Sequence, residues 1–335
     1  MTPENDAETP LHTTFYRCFD QIFFSHQTSI IMYHGFTDKI DQLENYHGKH
    51  LHIQTFRKQL QYLKKHYSMI SLDQFVDHVL TNTPMAQNAV VLTFDDGYES
   101  NFVLAFPLLK EFNAPATIFL TTDFIEQKQF IWANRVEYAI LAAKLPSLHL
   151  NTENKEQIFD LSHDEAKKET IFALKTLFKT LDDQVRDSLI NTMEQSLGQK
   201  LTFDAATPPI HRSLNWQQIQ EMSQSPLITF GAHTCSHAIL ARCSLELANK
   251  EIIDSKRIIE KQINKNCRLF CYPYGGKDTF NNQTKVALQQ AGYSCALTTI
   301  TGKNNQDSDL FSLKRVGTSN LVGLDNFEKS LLTRH

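Results

Sequence analysis

The sequence predicts a single large α/β barrel with parallel strands, and three observations carry that expectation. Apolar runs of β-type residues alternate with amphipathic helical stretches, a βαβ rhythm that makes neighbouring strands parallel. The apolar runs end in polar clusters rich in Asp, His and Gly, and in parallel barrels chemistry sits where strands give way to loops. The length, 335 residues, exceeds one ordinary core but fits one barrel domain.

Residues 1–28 form a tail leading into a short helical or loop segment. "IIMYH" (30–34) is the first strand, and a polar, His-rich loop follows over 37–52. "TFRKQLQYLKKH" (55–66) sets Phe56, Leu60 and Leu63 on one helical face. "SLDQFVDHVL" is a short helix with Ser71 as N-cap. "NAVVLTFDDGY" (88–98) is a buried strand ending in two aspartates and a glycine. "SNFVLAFPLLKEF" (100–112) is the helix after it, and "APATIFLTT" (114–122) the next strand.

The rhythm then stops. Residues 124–213 are Lys/Glu-rich and mostly helical, with "DEAKKETIFALKTLFKTL" (164–181) amphipathic. No turn cluster marks a separately folding unit, so this is a helical insertion within one domain spanning 1–335. Two roles are open to it: helix packing, and covering one side of a substrate cleft.

The rhythm resumes with "LNWQQIQEM" (214–222), a helix capped by Asn215, and strand "LITFGAHT" (227–234). A long amphipathic helix covers 244–263, and "RLFCYPYGG" (268–276) is a strand ending in Pro and Gly. A helix at 281–291, strands at 294–300 and 313–319 and a helix at 324–332 close the chain.

Composition narrows the function classes. Hydrophobic content of 41 % and charged content of 21 % are those of an ordinary globular protein. A net charge of −4 offers no basic footprint for nucleic acid. The 14 histidines are a mild enrichment that points to metal or proton chemistry. The six cysteines contain no CxxC pair and are expected to be reduced, mostly buried thiols. The first residues are acidic and polar where a signal peptide is basic and then apolar. No apolar run approaches the roughly 18 residues of a membrane span. The expectation is a cytoplasmic protein.

Three clusters carry chemistry. In "TFDDGY" (93–98) two adjacent carboxylates end a strand and point in different directions, so Asp96 or Asp95 could bind a metal while the other serves as a base. Asp-Gly is also ordinary turn chemistry. In "HTCSH" (233–237) two imidazoles four apart can face one ion. With one carboxylate they make a three-ligand set that leaves positions for water; two surface histidines in a loop is the other reading. In "YPYGG" (272–276) Pro273 fixes the chain, so the Tyr274 N–H can aim into a cleft as an oxyanion donor. A plain strand-ending turn would look the same.

Taken in this order, the three clusters resemble the polysaccharide deacetylase family, carbohydrate esterase family four. The resemblance runs from about residue 28 to the C-terminus, with 124–213 as extra. It implies a distorted (β/α)7-type barrel and hydrolysis of acetyl groups from N-acetylated sugars. It implies Asp95 as general base, Asp96, His233 and His237 as metal ligands, and the Tyr274 N–H as oxyanion donor. The implied cofactor is Zn²⁺ or another divalent transition metal, and the implied partner an N-acetylated carbohydrate.

Two departures from the family pattern matter. The family's late Leu-x-His acid corresponds here to Leu313-Lys314-Arg315, and arginine is a poor proton donor. The position of the family's base-orienting Arg is Cys271, with Arg268 on the other strand face. Arg315 is therefore expected to pair with Asp95. The late Trp motif has no clear match; Trp132 and Trp216 lie in or beside the insertion. Breaking an amide requires a proton on the leaving nitrogen. "IMYHGF" is similar to an early MYH motif of the poly-N-acetylglucosamine deacetylase branch, which makes His34 the expected acid. The alternatives are an O-acetyl esterase, which depends less on His34, and a sugar-binding module without catalysis. A cytoplasmic substrate would be a nucleotide- or lipid-linked amino sugar near the inner membrane face.

Overall fold

The computed structural model describes residues 27–39, 43–127, 129–152, 155–198, 203, 207–319 and 323–332. The expected N-terminal tail, with Cys18, lies almost wholly outside them. In chain order the strands are β1 (Ser29–Tyr33), β2 (Phe36–Thr37), β3 (Leu51–His52), β4 (Ser68–Met69), β5 (Ala89–Phe94) and β6 (Ala116–Leu120). Then come β7 (Ser147–Thr152), β8 (Lys155–Asp160), β9 (Ile228–Ala232), β10 (Leu269–Cys271), β11 (Cys295–Thr301) and β12 (Leu313–Gly317).

Seven of these strands close into a barrel. The order is β1, β5, β6, β9, β10, β11, β12 and back to β1, every pair parallel. β4 adds to the start of β5. The fold is thus α/β with a seven-stranded parallel barrel, and all seven C-terminal strand ends share one rim.

Side-chain alternation sorts the strands into two faces. Ile31 and Tyr33, with Val90, Leu92 and Phe94, pack outward into the cluster formed with the surrounding helices. Ile30, Val91, Phe119, Leu269, Cys271, Leu297 and Leu313 share an inner cluster with Leu72, Phe75 and Val76. Continuing the inner period past the strand ends brings His34 and Asp95 to the axis side of the rim. Arg315, two residues beyond Leu313, lies on the same face.

The helices fall close to their expected places. Ser71 and Asn215 both close capping boxes, with Gln74 and Gln218 respectively. The expected helix over 100–112 differs at its start: Asn101–Ala105 is a π-helical turn, and only Phe106–Phe112 is α-helical. Pro107 supplies the reason, since its ring crowds the carbonyl four residues back and it has no N–H to donate. The expected strand 268–276 is cut to three residues because Pro273 and the turn after it end the ladder.

The insertion needs a correction as well. It is not helical throughout: between helices Trp132–Leu141 and Asp164–Phe178 it carries an antiparallel hairpin, β7 with β8. Leu148 and Leu150 are buried on either side of His149, a period of two that favours a strand. The insertion's helices share a hydrophobic cluster with Tyr98 and Ile239 of the rim. It therefore packs onto the barrel's C-terminal end. Glu137 joins Lys175 and His47 inside this contact. Cys235, Cys243, Cys267, Cys271 and Cys295 are free thiols. Among the described residues no helix is long and apolar enough to cross a membrane.

Candidate active site

Strand register assembles the site. Tyr33 pairs with Phe94, so His34 and Asp95 stand side by side, tied by a bond from the Asp95 N–H to the Tyr33 carbonyl at 3.0 Å. Leu120 pairs with Ala232, and the His233 N–H donates to the Leu120 carbonyl at 2.9 Å. The loop after β1 is pinned from the π-helical turn. Ser100 Oγ accepts from the Phe36 N–H at 2.9 Å, and Asn101 Nδ2 donates to the His34 carbonyl at 2.8 Å.

The backbone around the site is strained. Eight described non-glycine residues have positive φ, and four of them are asparagines. The other four are Asp96 (φ 75°), Thr234 (63°), His237 (62°) and Tyr274 (63°), all within the three clusters. Left-handed backbone is costly for such residues, above all for β-branched Thr234, and persists where surroundings over-determine it. Gly275 (φ 56°) shows how tight the third turn is. A Cβ there would meet Thr299 N at 2.5 Å and the Thr298 carbonyl carbon at 2.9 Å.

Asp95 is buried and clamped by Arg315, itself 1 % exposed. Nη1 donates to Oδ1 at 2.8 Å and Nη2 to Oδ2 at 2.7 Å. Arg315 is held in turn by the Thr298 carbonyl (2.6 Å) and the Thr93 hydroxyl (3.3 Å). Burial alone would raise the Asp95 carboxyl. The Arg315 charge and hydrogen bonds, aided by His233 and His34, outweigh it and bring the pKa down to about 2. The expected Arg315–Asp95 contact is thus present. Cys271 Sγ lies 3.7 Å from Asp95 Oδ2. Arg268 instead pairs with Asp73 and Asp77 at 2.7 Å each.

Asp96, His233 and His237 converge. Asp96 Oδ1 is 3.5 Å from His233 Nε2 and 3.3 Å from His237 Nε2, and one atom from each residue fits a common ion. Asp96 Oδ1 is buried and makes no hydrogen bond, so the contacts to the rings leave it with an unmet need. Its partner oxygen Oδ2 accepts from Lys49 Nζ at 2.7 Å. His233 Nδ1 faces the Cys271 carbonyl at 2.7 Å, which fixes the ring and leaves Nε2 toward Asp96. The donor set of one carboxylate and two imidazoles suits Zn²⁺ or another divalent transition metal. Burial opposes charge on both rings. It wins at His237, pushed down to about 4, while Cys271 and Asp96 lift His233 above the usual imidazole range.

These groups open into one pocket of about 230 Å³. His34, Asp95, Asp96, His233, His237 and Tyr274 line the barrel side; Ile131, Ala133, Asn134, Lys175 and Lys179 line the insertion side. The insertion therefore both packs on the barrel and walls the pocket. The Tyr274 N–H forms no backbone hydrogen bond among the described residues. Burial and then Lys49 hold the His34 pKa down to about 4, with Asp96 and Asp95 pulling the other way. Trp132 packs against Tyr274 with ring centroids 5.7 Å apart, but neither Trp132 nor Trp216 lines this pocket.

Lys49 and Asn101 escape sequence reasoning. Lys49 sits in a loop without periodicity, yet its ammonium reaches both Asp96 and the Tyr98 hydroxyl (2.8 Å). Asn101 works through a π-helical turn whose one signal is Pro107.

A parallel barrel with an Asp-His-His set and a clamped second aspartate at its C-terminal rim defines a candidate metal-centre protein of the α/β barrel class. A family model described as polysaccharide deacetylase matches residues 82–296, and the chain belongs to that family. YxkH of Bacillus subtilis is 21 % identical over 234 residues, covering 70 % of this chain and 53 % of that protein. The chain thus spans about half the length of this relative. The poly-β-1,6-N-acetyl-D-glucosamine N-deacetylase of Staphylococcus epidermidis is 23 % identical over 278 residues, 82 % of this chain and 68 % of that one. A Streptococcus pyogenes deacetylase solved with acetate superposes with a TM-score of 0.61 at 20 % identity, over 92 % of this chain and 99 % of that one. That likeness carries the fold.

Proposed function

We propose that the protein is a metal-dependent hydrolase removing N-acetyl groups from an amino-sugar glycan or glycoconjugate. The observation that carries the reading is the buried, unpartnered Asp96 Oδ1 facing two histidines, next to a second aspartate that Arg315 keeps ionised. Asp96, His233 and His237 would hold the ion, which supplies Lewis acidity toward an acetyl carbonyl and lowers the pKa of a bound water.

The chain's own residues do the rest. Asp95, ionised, accepts the proton of the attacking water. Arg315 fixes its orientation. The Tyr274 N–H donates to the oxygen of the tetrahedral species. His34 takes up a proton from solvent as negative charge developing in the pocket raises its pKa from the low value that burial imposes, and passes it to the leaving nitrogen as the C–N bond breaks; Asp95 returns the water's proton to solvent when acetate leaves. Ile131, Ala133 and the Tyr274 ring offer the apolar surface for an acetyl methyl.

One observation favours a second reading. With its pKa down to about 4, His34 is neutral at pH 7 in the free pocket, and O-acetyl ester hydrolysis does not require a protonated leaving group. Acetate release from N-acetylchitooligomers and from an O-acetylated sugar, with stripped and metal-reconstituted protein, tests both. N-acetyl release restored by metal supports the main reading. Release from the ester alone supports the second. Sugar binding without acetate from either would leave a non-catalytic relative.

A further inference from the structure

The charge around the pocket is opposite to that of the chain. The whole protein carries −4. At the pocket, however, Lys49, Lys175 and Lys179 line the wall with Asp95 and Asp96, and Arg315 and Glu137 stand behind them as partners of Asp95 and Lys175: four cations against three carboxylates, an excess that would grow by two with a divalent ion held. Three of the four cations are matched. Arg315 clamps Asp95, Lys49 bonds Asp96, and Lys175 bonds Glu137.

Lys179 is different. It lines the pocket, and among the described residues no carboxylate stands within ion-pair distance of it. Its ammonium lies 5.0 Å from the centroid of the Tyr274 ring, the residue whose N–H is the proposed oxyanion donor. Burial and the charge of Lys175 together lower its pKa, the mark of a cation whose surroundings lack an anion. The side chain is exposed over part of its length, and its ammonium, set over the Tyr274 ring, stays at the mouth of the pocket.

Building on the proposed hydrolysis, we propose that the substrate bears an oxyanion, a phosphate or a carboxylate, on or next to the acetamido sugar, and that Lys179 with Lys175 receives it on the insertion wall. A local field of this sign raises the encounter rate and affinity for such a ligand in a salt-dependent way. It also gives the insertion a specificity role separate from the chemistry on the barrel rim.

The test uses three sugars differing in charge: methyl N-acetylglucosaminide, N-acetylglucosamine 1-phosphate and N-acetylmuramic acid. Binding to Asp95→Asn protein and acetate release by the unmodified protein are both measured, at low and high salt. The expected result is a preference of about fivefold or more for at least one anionic sugar, shrinking with salt. Lys179→Gln should cut the anionic-to-neutral ratio about fivefold, and Lys179→Arg should restore it. A preference for the phosphate or the carboxylate alone identifies which oxyanion is taken. Equal binding of all three, or a ratio that Lys179→Gln leaves unchanged, overturns the proposal. No acetate from any sugar, with the binding preference intact, sinks the hydrolysis and upholds the anion site.

Discussion

The loops after β5, β9 and β10 hold Asp96, Thr234, His237 and Tyr274 in left-handed backbone, whereas no described non-glycine residue of the insertion adopts it. Both regions line the same pocket. The rim groups are strained and mostly buried, and Arg315, Lys49 and the Cys271 carbonyl hold Asp95, Asp96 and His233, so their positions are fixed before any substrate arrives. The insertion offers Lys175 and Lys179 from relaxed helical backbone, on one end of a helix with its own core. Under the proposed function, this contrast separates a rim that carries the chemistry from an insertion that carries recognition. Changes on the rim should cost orders of magnitude in turnover, and changes in the insertion should cost stability or selectivity.

The largest effect is expected on the rim. Asp95→Asn should lower kcat for acetate release about 10³-fold with metal content unchanged. Arg315→Gln attacks the same group indirectly. Burial raises the Asp95 pKa and Arg315 lowers it, so removing the arginine should raise it. The base is then protonated over more of the acid range, and the acid limb of the kcat/KM profile should move to higher pH, with a loss of about 10² near neutrality. An unshifted profile would detach Arg315 from the base.

His34→Gln sharpens the comparison within the rim. It should cost about 10²-fold on an N-acetyl substrate and less than about threefold on an O-acetyl ester. Equal losses on the two, measured with metal still bound, would make His34 a structural residue.

A smaller effect is expected where the insertion meets the barrel. Glu137→Gln leaves Lys175 and His47 without their buried partner and should destabilise the protein by about 1–3 kcal/mol at pH 7. Lys175 and His47, each about a quarter exposed, keep the estimate below that for a fully buried pair. Burial opposes ionisation of Glu137, but His47 and Lys175 outweigh it and hold its pKa far below the usual range. Its stabilisation is therefore present above the ordinary glutamate pKa and shrinks as pH falls toward the depressed folded one. The stability gap between the two proteins should be smaller at pH 3 than at pH 7 without closing, because folded Glu137 stays ionised below the ordinary glutamate range. A gap of the same size at both pH values would assign it to packing rather than charge.

Much of the rim was legible because each of its motifs sits at the end of an apolar run, where period-two alternation and parallel topology place Asp95, His34 and Arg315 on one inner face. Asp96, His233 and His237 could be grouped from residue type. Their left-handed backbone could not, since tertiary contacts enforce it. Lys49 comes from an aperiodic loop, and Asn101 from a π-helical turn that reads as plain helix. The hairpin β7–β8 was hidden in a segment whose charge content resembles the helices around it. Lys179 reaches the pocket only because the insertion folds back over the rim, a long-range placement that no local pattern encodes.

The central claim is that Asp96, His233 and His237 hold one divalent ion on which hydrolysis depends. Metal content and acetate release should be measured on the same samples of native, stripped, reconstituted and His237→Gln protein. The expected result is one ion per chain in native protein, loss of both ion and acetate release on stripping, recovery of both on adding Zn²⁺ or Co²⁺, and neither in His237→Gln. Full acetate release from stripped protein, or a full ion complement in His237→Gln, would contradict it.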